Sequence, residues 1–200
     1  VLETYRNPRD VDGDMFRQSL QNLRPNLSVF SAPPEVLPLD ALSGADLQYL
    51  LGLARDSADL VILDLPGSVT DWTEAAYLAA DRICMIARLD VRSAGNLKRL
   101  RSLVSPQVLP NEKLCPVVNF RPKRPPREWA ARIHSLESGM GLPVHLQLPG
   151  GGPVVSEAAD SGIALIQADP SSPLRLAPQA YAGEVAALVP KQQRLQGSGF

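Results

Sequence analysis

Nowhere does this chain approach the roughly 18 consecutive apolar residues that a membrane-spanning helix requires, so no transmembrane segment is expected. The opening VLETYRNPRDVDGD also lacks the apolar centre of a secretory signal. Cysteine is scarce. Cys84 and Cys115 both lie in apolar runs, at 83–87 and 114–118, with no His or Cys at metal-ligand spacing. They read as inert core thiols of a protein in a reducing cytoplasm. The two histidines, His134 and His145, fall on different segments without an acidic or cysteine neighbour, which argues against a local metal or catalytic dyad. None of Ser68, Ser93, Ser102 and Ser156 stands in the G-x-S-x-G context of a hydrolase elbow. Charge of one sign is lacking as well: the formal net charge of −1 gives the whole chain no pull toward nucleic acid or anionic membrane. There is no internal repeat.

What is present is an ordinary globular composition. In 200 residues, 44% are hydrophobic and 20% charged, enough for one domain with a real core. Short apolar runs at 27–31, 59–65, 82–89, 114–120 and 144–148 predict strands. Several are continuously apolar, as parallel strands covered on both faces are. Helical patterns occupy 39–55, 71–80, 93–104, 127–138, 154–161 and 173–188. Leu97, Leu100 and Val104 mark one apolar face of the third, with Lys98, Arg99 and Arg101 turned to solvent. Thr70 or Asp71 would cap the second, with Glu74 at capping-box spacing from Asp71. This alternation predicts an α/β fold with a mostly parallel sheet. The tail at 191–200, KQQRLQGSGF, is expected to be disordered.

One stretch asks for a chemical explanation. In ADLVILDLPGS, residues 58–68, Asp64 interrupts an apolar run, and Pro66 and Gly67 then stop regular structure. In open α/β sheets, ligands bind at the carboxyl ends of strands. A carboxylate there can hold Mg²⁺ directly or through water, since that ion prefers oxygen ligands and keeps several waters. It can equally accept backbone hydrogen bonds at a strand–turn junction.

Two other features have paired readings. RPKRPPR at 121–127 places Arg121, Lys123, Arg124 and Arg127 on a proline-stiffened stretch. This is either an anion-binding surface or a solvated loop, and no aromatic interleaves with the basic residues to stack bases. Trp72 and Tyr77 would pack on the core or face a partner.

The segment DLPGSVTDWTEAAYLAADRICMIARLDVRSAGNLKRL resembles the switch II region and following β-α units of the MinD/ParA group of P-loop ATPases. Within that group it looks most like the CpaE/TadZ branch associated with Flp/tight-adherence type IV pili. The resemblance rests on DLP at 64–66, DWT at 71–73, AAD at 79–81 and the helix with Asn96 and Arg99. VVNF at 117–120, LPG at 148–150, VSEAADSGIAL at 155–165 and a closing helix from Ser172 continue it. It covers about residues 20 to 190 and implies a three-layer P-loop NTPase fold with helices on both faces of the sheet. It further implies that Asp64 is the Walker B carboxylate acting on Mg²⁺ through water, and that Pro66 and Gly67 form the γ-phosphate-sensing loop. Asn119 would recognise adenine, with Pro149 and Gly150 passing near the base and ribose. A Gly-Gly-Gly run at 150–152 departs from the polar residues common at that turn.

The phosphate-binding loop is missing. No G-x-x-x-x-G-K-[ST] or two-lysine variant occurs, and none of Lys98, Lys113, Lys123 and Lys191 follows a glycine. Without clustered amides, lysine and hydroxyl, the positioning and charge stabilisation on which phosphoryl transfer depends would be lost. The expectation is that residues 1–190 are the C-terminal portion of a single ATPase domain whose P-loop strand lies upstream; a degenerate domain is the alternative. The resemblance then implies an ATP·Mg-dependent, dimerising switch in the cytoplasm, recruited to the cell pole or inner membrane face and partnered by pilus or secretion-machine proteins. A non-catalytic scaffold of the same fold and a ParA-type DNA-partitioning ATPase are the alternatives. A sheet lacking a central strand would also expose an apolar edge prone to association.

Overall fold

The computed structural model describes residues 7–35, 37–38 and 40–189, so the tail expectation at 191–200 lies outside the described residues. These residues form two compact units, the first running to Ala80 together with Val189, the second comprising 81–188.

The first unit begins with a 3₁₀ turn, Pro8–Asp10, and α1, Gly13–Ser19, whose N-cap Asp12 accepts from the Met15 N–H at 2.8 Å. A small antiparallel hairpin follows, β1 at Gln21–Arg24 and β2 at Leu27–Val29. The strand predicted at 27–31 is thus present in shorter form, but in an antiparallel hairpin and not in the parallel sheet. Its partner QNLR is too polar to read as a strand, and Leu27 stays 47% exposed. Helix α2, Gly44–Ser57, starts at Ser43, whose hydroxyl accepts from the Asp46 N–H at 3.1 Å. It turns Leu47, Leu50 and Leu51 into a core with Val11, Phe16, Leu42, Ala75 and Ala76, the i, i+3, i+4 spacing of one helical face.

Helix α3, Asp71–Ala79, supplies the two alanines and a buried Tyr77, and Trp72 packs against the same core. Thr70 is its N-cap. Thr73, not Glu74, closes the capping box, because its hydroxyl accepts from the Thr70 N–H at 2.8 Å.

The second unit carries the parallel sheet, in the order β3 (Ile83–Ala87), β4 (Leu114–Arg121), β5 (Leu146–Pro149). Ile83 lies opposite Leu114 and Val117 opposite Leu146. On one face Met85, Ala87 and Val118 meet Leu97 of α4 (Val91–Leu103) and Leu136 and Met140 of α5 (Trp129–Met140). The predicted stripe of α4 is therefore the buried one. Beyond β5 come α6 (Pro153–Asp160), α7 (Leu165–Ala168), α8 (Pro173–Leu176) and α9 (Gln179–Leu188). On the opposite sheet face, Tyr181 of α9 reaches Cys84. Helices thus contact both faces, giving the expected α/β layering. The single helix predicted at 173–188 is broken into α8 and α9 at Pro178, which has no N–H to continue the ladder.

Candidate functional site

The run before Asp64 is extended but joins no sheet among the described residues, which corrects the strand predicted at 59–65. Its side chains divide between core and solvent without strict alternation, since Leu63 is exposed beside Ile62. Val61 and Leu65 pack on the core of the first unit, while Ile62 is 83% exposed and Leu60 49%. The run is extended like a strand without the neighbours that would pair its backbone. Asp64 is exposed at its end, followed by exposed Pro66 and Gly67.

The chain is then clamped onto α3. The Thr73 side chain is fully buried, and its hydroxyl lies 3.0 Å from the Thr70 carbonyl and 3.4 Å from that of Ser68. Asp71 accepts from the Gly44 N–H at 2.5 Å, tying the first turn of α3 to the first turn of α2. The 64–70 loop therefore has a fixed downstream anchor and an exposed carboxylate upstream.

In the second unit, the carboxyl end of the sheet gathers the other expected residues. Asn119 is exposed near the end of β4, opposite Leu148 of β5, and Arg121 lies opposite Pro149. The Asn119–Phe120 peptide is cis. Gly150 donates its N–H to the Arg121 carbonyl at 3.2 Å, so the turn after β5 is fastened to the end of β4. Asn119, Pro149 and Gly150 share one sheet edge, as the parallel register requires.

The three glycines have separate causes. A Cβ on Gly150 would stand 3.0 Å from the Phe120 ring. One on Gly151 would strike the Val155 side chain and come within 3.0 Å of Leu174, whereas Gly152 holds φ +67° immediately before α6. The departure from polar residues at this turn is thus explained by packing and backbone conformation. Arg121, Lys123, Arg124 and Arg127 are all exposed beyond the same edge.

Some groups escaped the sequence reading. Cys84 is exposed, not buried, because the face of β3 that bears it is only partly covered. Its thiol lies 3.2 Å from the Tyr181 hydroxyl. His145 does have an acidic partner, Glu184 at 3.0 Å, and its ring meets Tyr181 edge-on at 5.3 Å between centroids. A separation of 39 residues hid that pair from the sequence. Burial pushes the Cys115 thiol up to about 11, a hydrogen bond from Tyr181 opposing it and Cys84 adding to it. Among the described residues, no three His, Cys, Asp or Glu side chains cluster as a metal centre would require, and no helix is long and apolar enough to cross a membrane.

No protein-family profile matches the chain. Over 68 residues it is 37% identical to a ParA family protein of Chlamydia pneumoniae, a match covering 34% of this chain and 27% of that relative. It therefore spans about a quarter of the length of the relative it matches. The crystal structure of a ParA family ATPase from Chlorobium tepidum superposes with a TM-score of 0.74 at 17% identity, over 90% of this chain and 74% of the other. The fold is the α/β fold of a ParA family ATPase.

Proposed function

We propose that this chain is the base-binding and switch portion of a MinD/ParA-like ATPase of the CpaE/TadZ kind. Residues 1–190 would form one domain with a P-loop segment supplied upstream, and the whole would dimerise when loaded with ATP and Mg²⁺. Its work would be the localisation or assembly of a Flp/tight-adherence pilus machine, from the cytoplasmic side of the cell pole or inner membrane. The observation that carries this reading is the shared edge of Asn119 with the Pro149–Gly150 turn at the carboxyl end of a parallel sheet.

The residues present fit one end of the nucleotide. The exposed Asn119 carboxamide offers one donor and one acceptor to an adenine edge, and the glycines keep the neighbouring backbone free of side chains. Asp64 is an exposed oxygen donor of the kind Mg²⁺ accepts through water. The phosphate end is different. This sequence contains no glycine-lysine loop, so the residues present do not hold the triphosphate and no hydrolytic step is assigned to them. A complete domain would supply that charge stabilisation from the upstream loop.

That same lack favours the second reading, a scaffold that keeps the fold without the chemistry. A DNA-partitioning role would instead draw on the exposed Arg121, Lys123, Arg124 and Arg127. The test is ATP·Mg²⁺ binding to the chain with its upstream segment, comparing Asn119→Ala with the parent. Losing both hydrogen bonds to the base is expected to weaken binding about tenfold, with less preference for ATP over GTP. Unchanged affinity and unchanged base preference would remove Asn119 from the site.

A further inference from the structure

Cys84 and Cys115 are direct register partners on the adjacent parallel strands β3 and β4. In-register partners point to the same face of a sheet, and neighbouring strands run about 4.8 Å apart. That spacing falls within the roughly 4.4–6.8 Å between Cα atoms that a disulfide spans. The two thiols differ in access: Cys84 is exposed, whereas Cys115 is 3% exposed. The Tyr181 hydroxyl lies 3.2 Å from the Cys84 thiol. The His145–Glu184 pair and the edge-on His145 ring close the far side of Tyr181. Each cysteine therefore has a thiol for a neighbour, with only a tyrosine tip between them and the α9 layer.

We propose that Cys84 and Cys115 form a modification site, a dithiol that a hydroperoxide converts into a disulfide linking β3 to β4. Cys84, the accessible thiol, gives up its proton and attacks the terminal oxygen of the hydroperoxide. The O–O bond breaks, an alcohol (or water, from hydrogen peroxide) departs with a proton, and Cys84 is left as a sulfenic acid. The Cys115 sulfur then attacks the Cys84 sulfur; the S–O bond breaks, and the hydroxyl leaves as water with the Cys115 proton. Two thiols lose two electrons in all, and the hydroperoxide gains them. Burial of Cys115 keeps it from meeting the oxidant itself and assigns it the resolving step. The bridge takes Cys84 away from the Tyr181 hydroxyl and so loosens one attachment of α9 to the sheet. This inference stands on the sheet register and does not depend on nucleotide binding.

The experiment treats the full chain with hydrogen peroxide, blocks remaining thiols with N-ethylmaleimide and maps peptides without reduction. The expected result is an intramolecular Cys84–Cys115 link that dithiothreitol reverses, with both free thiols of the chain consumed. In Cys115→Ser, Cys84 should instead accumulate as a sulfenic acid that dimedone traps. Cys84 oxidised to the sulfinic acid in the unmutated chain while Cys115 still reacts with the maleimide after unfolding would overturn the proposal. So would Cys84–Cys84 links between chains in place of the internal bridge. The first arm uses no variant, so its outcome does not depend on a substituted protein folding.

Discussion

Asp71 and Gly44 join the N-termini of two helices through one hydrogen bond. The Asp71 carboxylate, in the first turn of α3, accepts from the N–H that opens α2 at 2.5 Å. Both helix starts carry orphan N–H groups and a positive dipole end, so one carboxylate serves two needs. Asp71→Ala is expected to lower the stability of the chain by about 1.5–3 kcal/mol, the usual worth of a hydrogen bond to a charged group. Gly44→Ala should also destabilise, by about 1 kcal/mol, because its Cβ would stand 3.0 Å from the Asp71 carboxylate and 3.2 Å from the Ala75 Cβ. Urea unfolding checks both: the midpoint should fall with an unchanged slope. A midpoint within error of the parent for Asp71→Ala would mean the tie contributes nothing.

Acid should weaken the chain for a reason that can be localised. Ser43's hydroxyl, and then Arg9, hold the Asp46 carboxyl below its usual value of 3.8. The Ser93 N–H and hydroxyl do the same for Asp90, the cap of α4. A carboxyl that ionises more readily in the folded state adds stability above its unfolded pKa, and that contribution fades as pH falls through the lower folded value. The loss therefore sets in below about pH 4. Thermal melts at pH 7, 4 and 2.5 should show the Asp46→Asn variant losing less melting temperature on acidification than the parent. An equal loss in the two would take Asp46 out of the account.

Association is expected wherever the extended 60–65 run stays unpaired. Ile62 is 83% exposed, Leu60 49% and Leu63 38%, on backbone that joins no described strand. Light scattering behind size exclusion should find the 200-residue chain in dimers or larger species. Ile62→Lys should shift that distribution toward monomer. A monodisperse monomer for the parent chain would contradict the reading of this segment as a strand awaiting a neighbour.

The second unit was largely legible because its signals are local. β3, β4 and β5 are apolar runs whose ends the structure moves by only a few residues, and Leu97 marks the buried face of α4. The first unit was harder. The apolar residues at 27–29 belong to an exposed hairpin, and the clue was the Pro25-Asn26 turn, not hydropathy. At 59–65 the pattern is that of a strand, yet pairing depends on neighbours that hydropathy alone does not reveal. Within the candidate site, Asn119 and the 149–150 turn were found by resemblance, and the sheet register puts them together. Glycines 150–152 looked like a departure until the Phe120 ring, the Val155 side chain and the positive φ of Gly152 accounted for each. The Cys84–Tyr181 contact, between residues 97 apart, had no local trace.

The central claim is that this fold binds a nucleotide once its phosphate loop is supplied. The most direct measurement is calorimetric titration of ATP·Mg²⁺ into the chain and into a form extended upstream by about 120 residues, roughly the length of one P-loop-to-switch-I segment of an α/β domain. Binding confined to the extended form, and abolished or strongly weakened by Asp64→Ala within it, is the predicted result. Absence of binding in both forms would contradict the account and leave a scaffold with the fold of an ATPase.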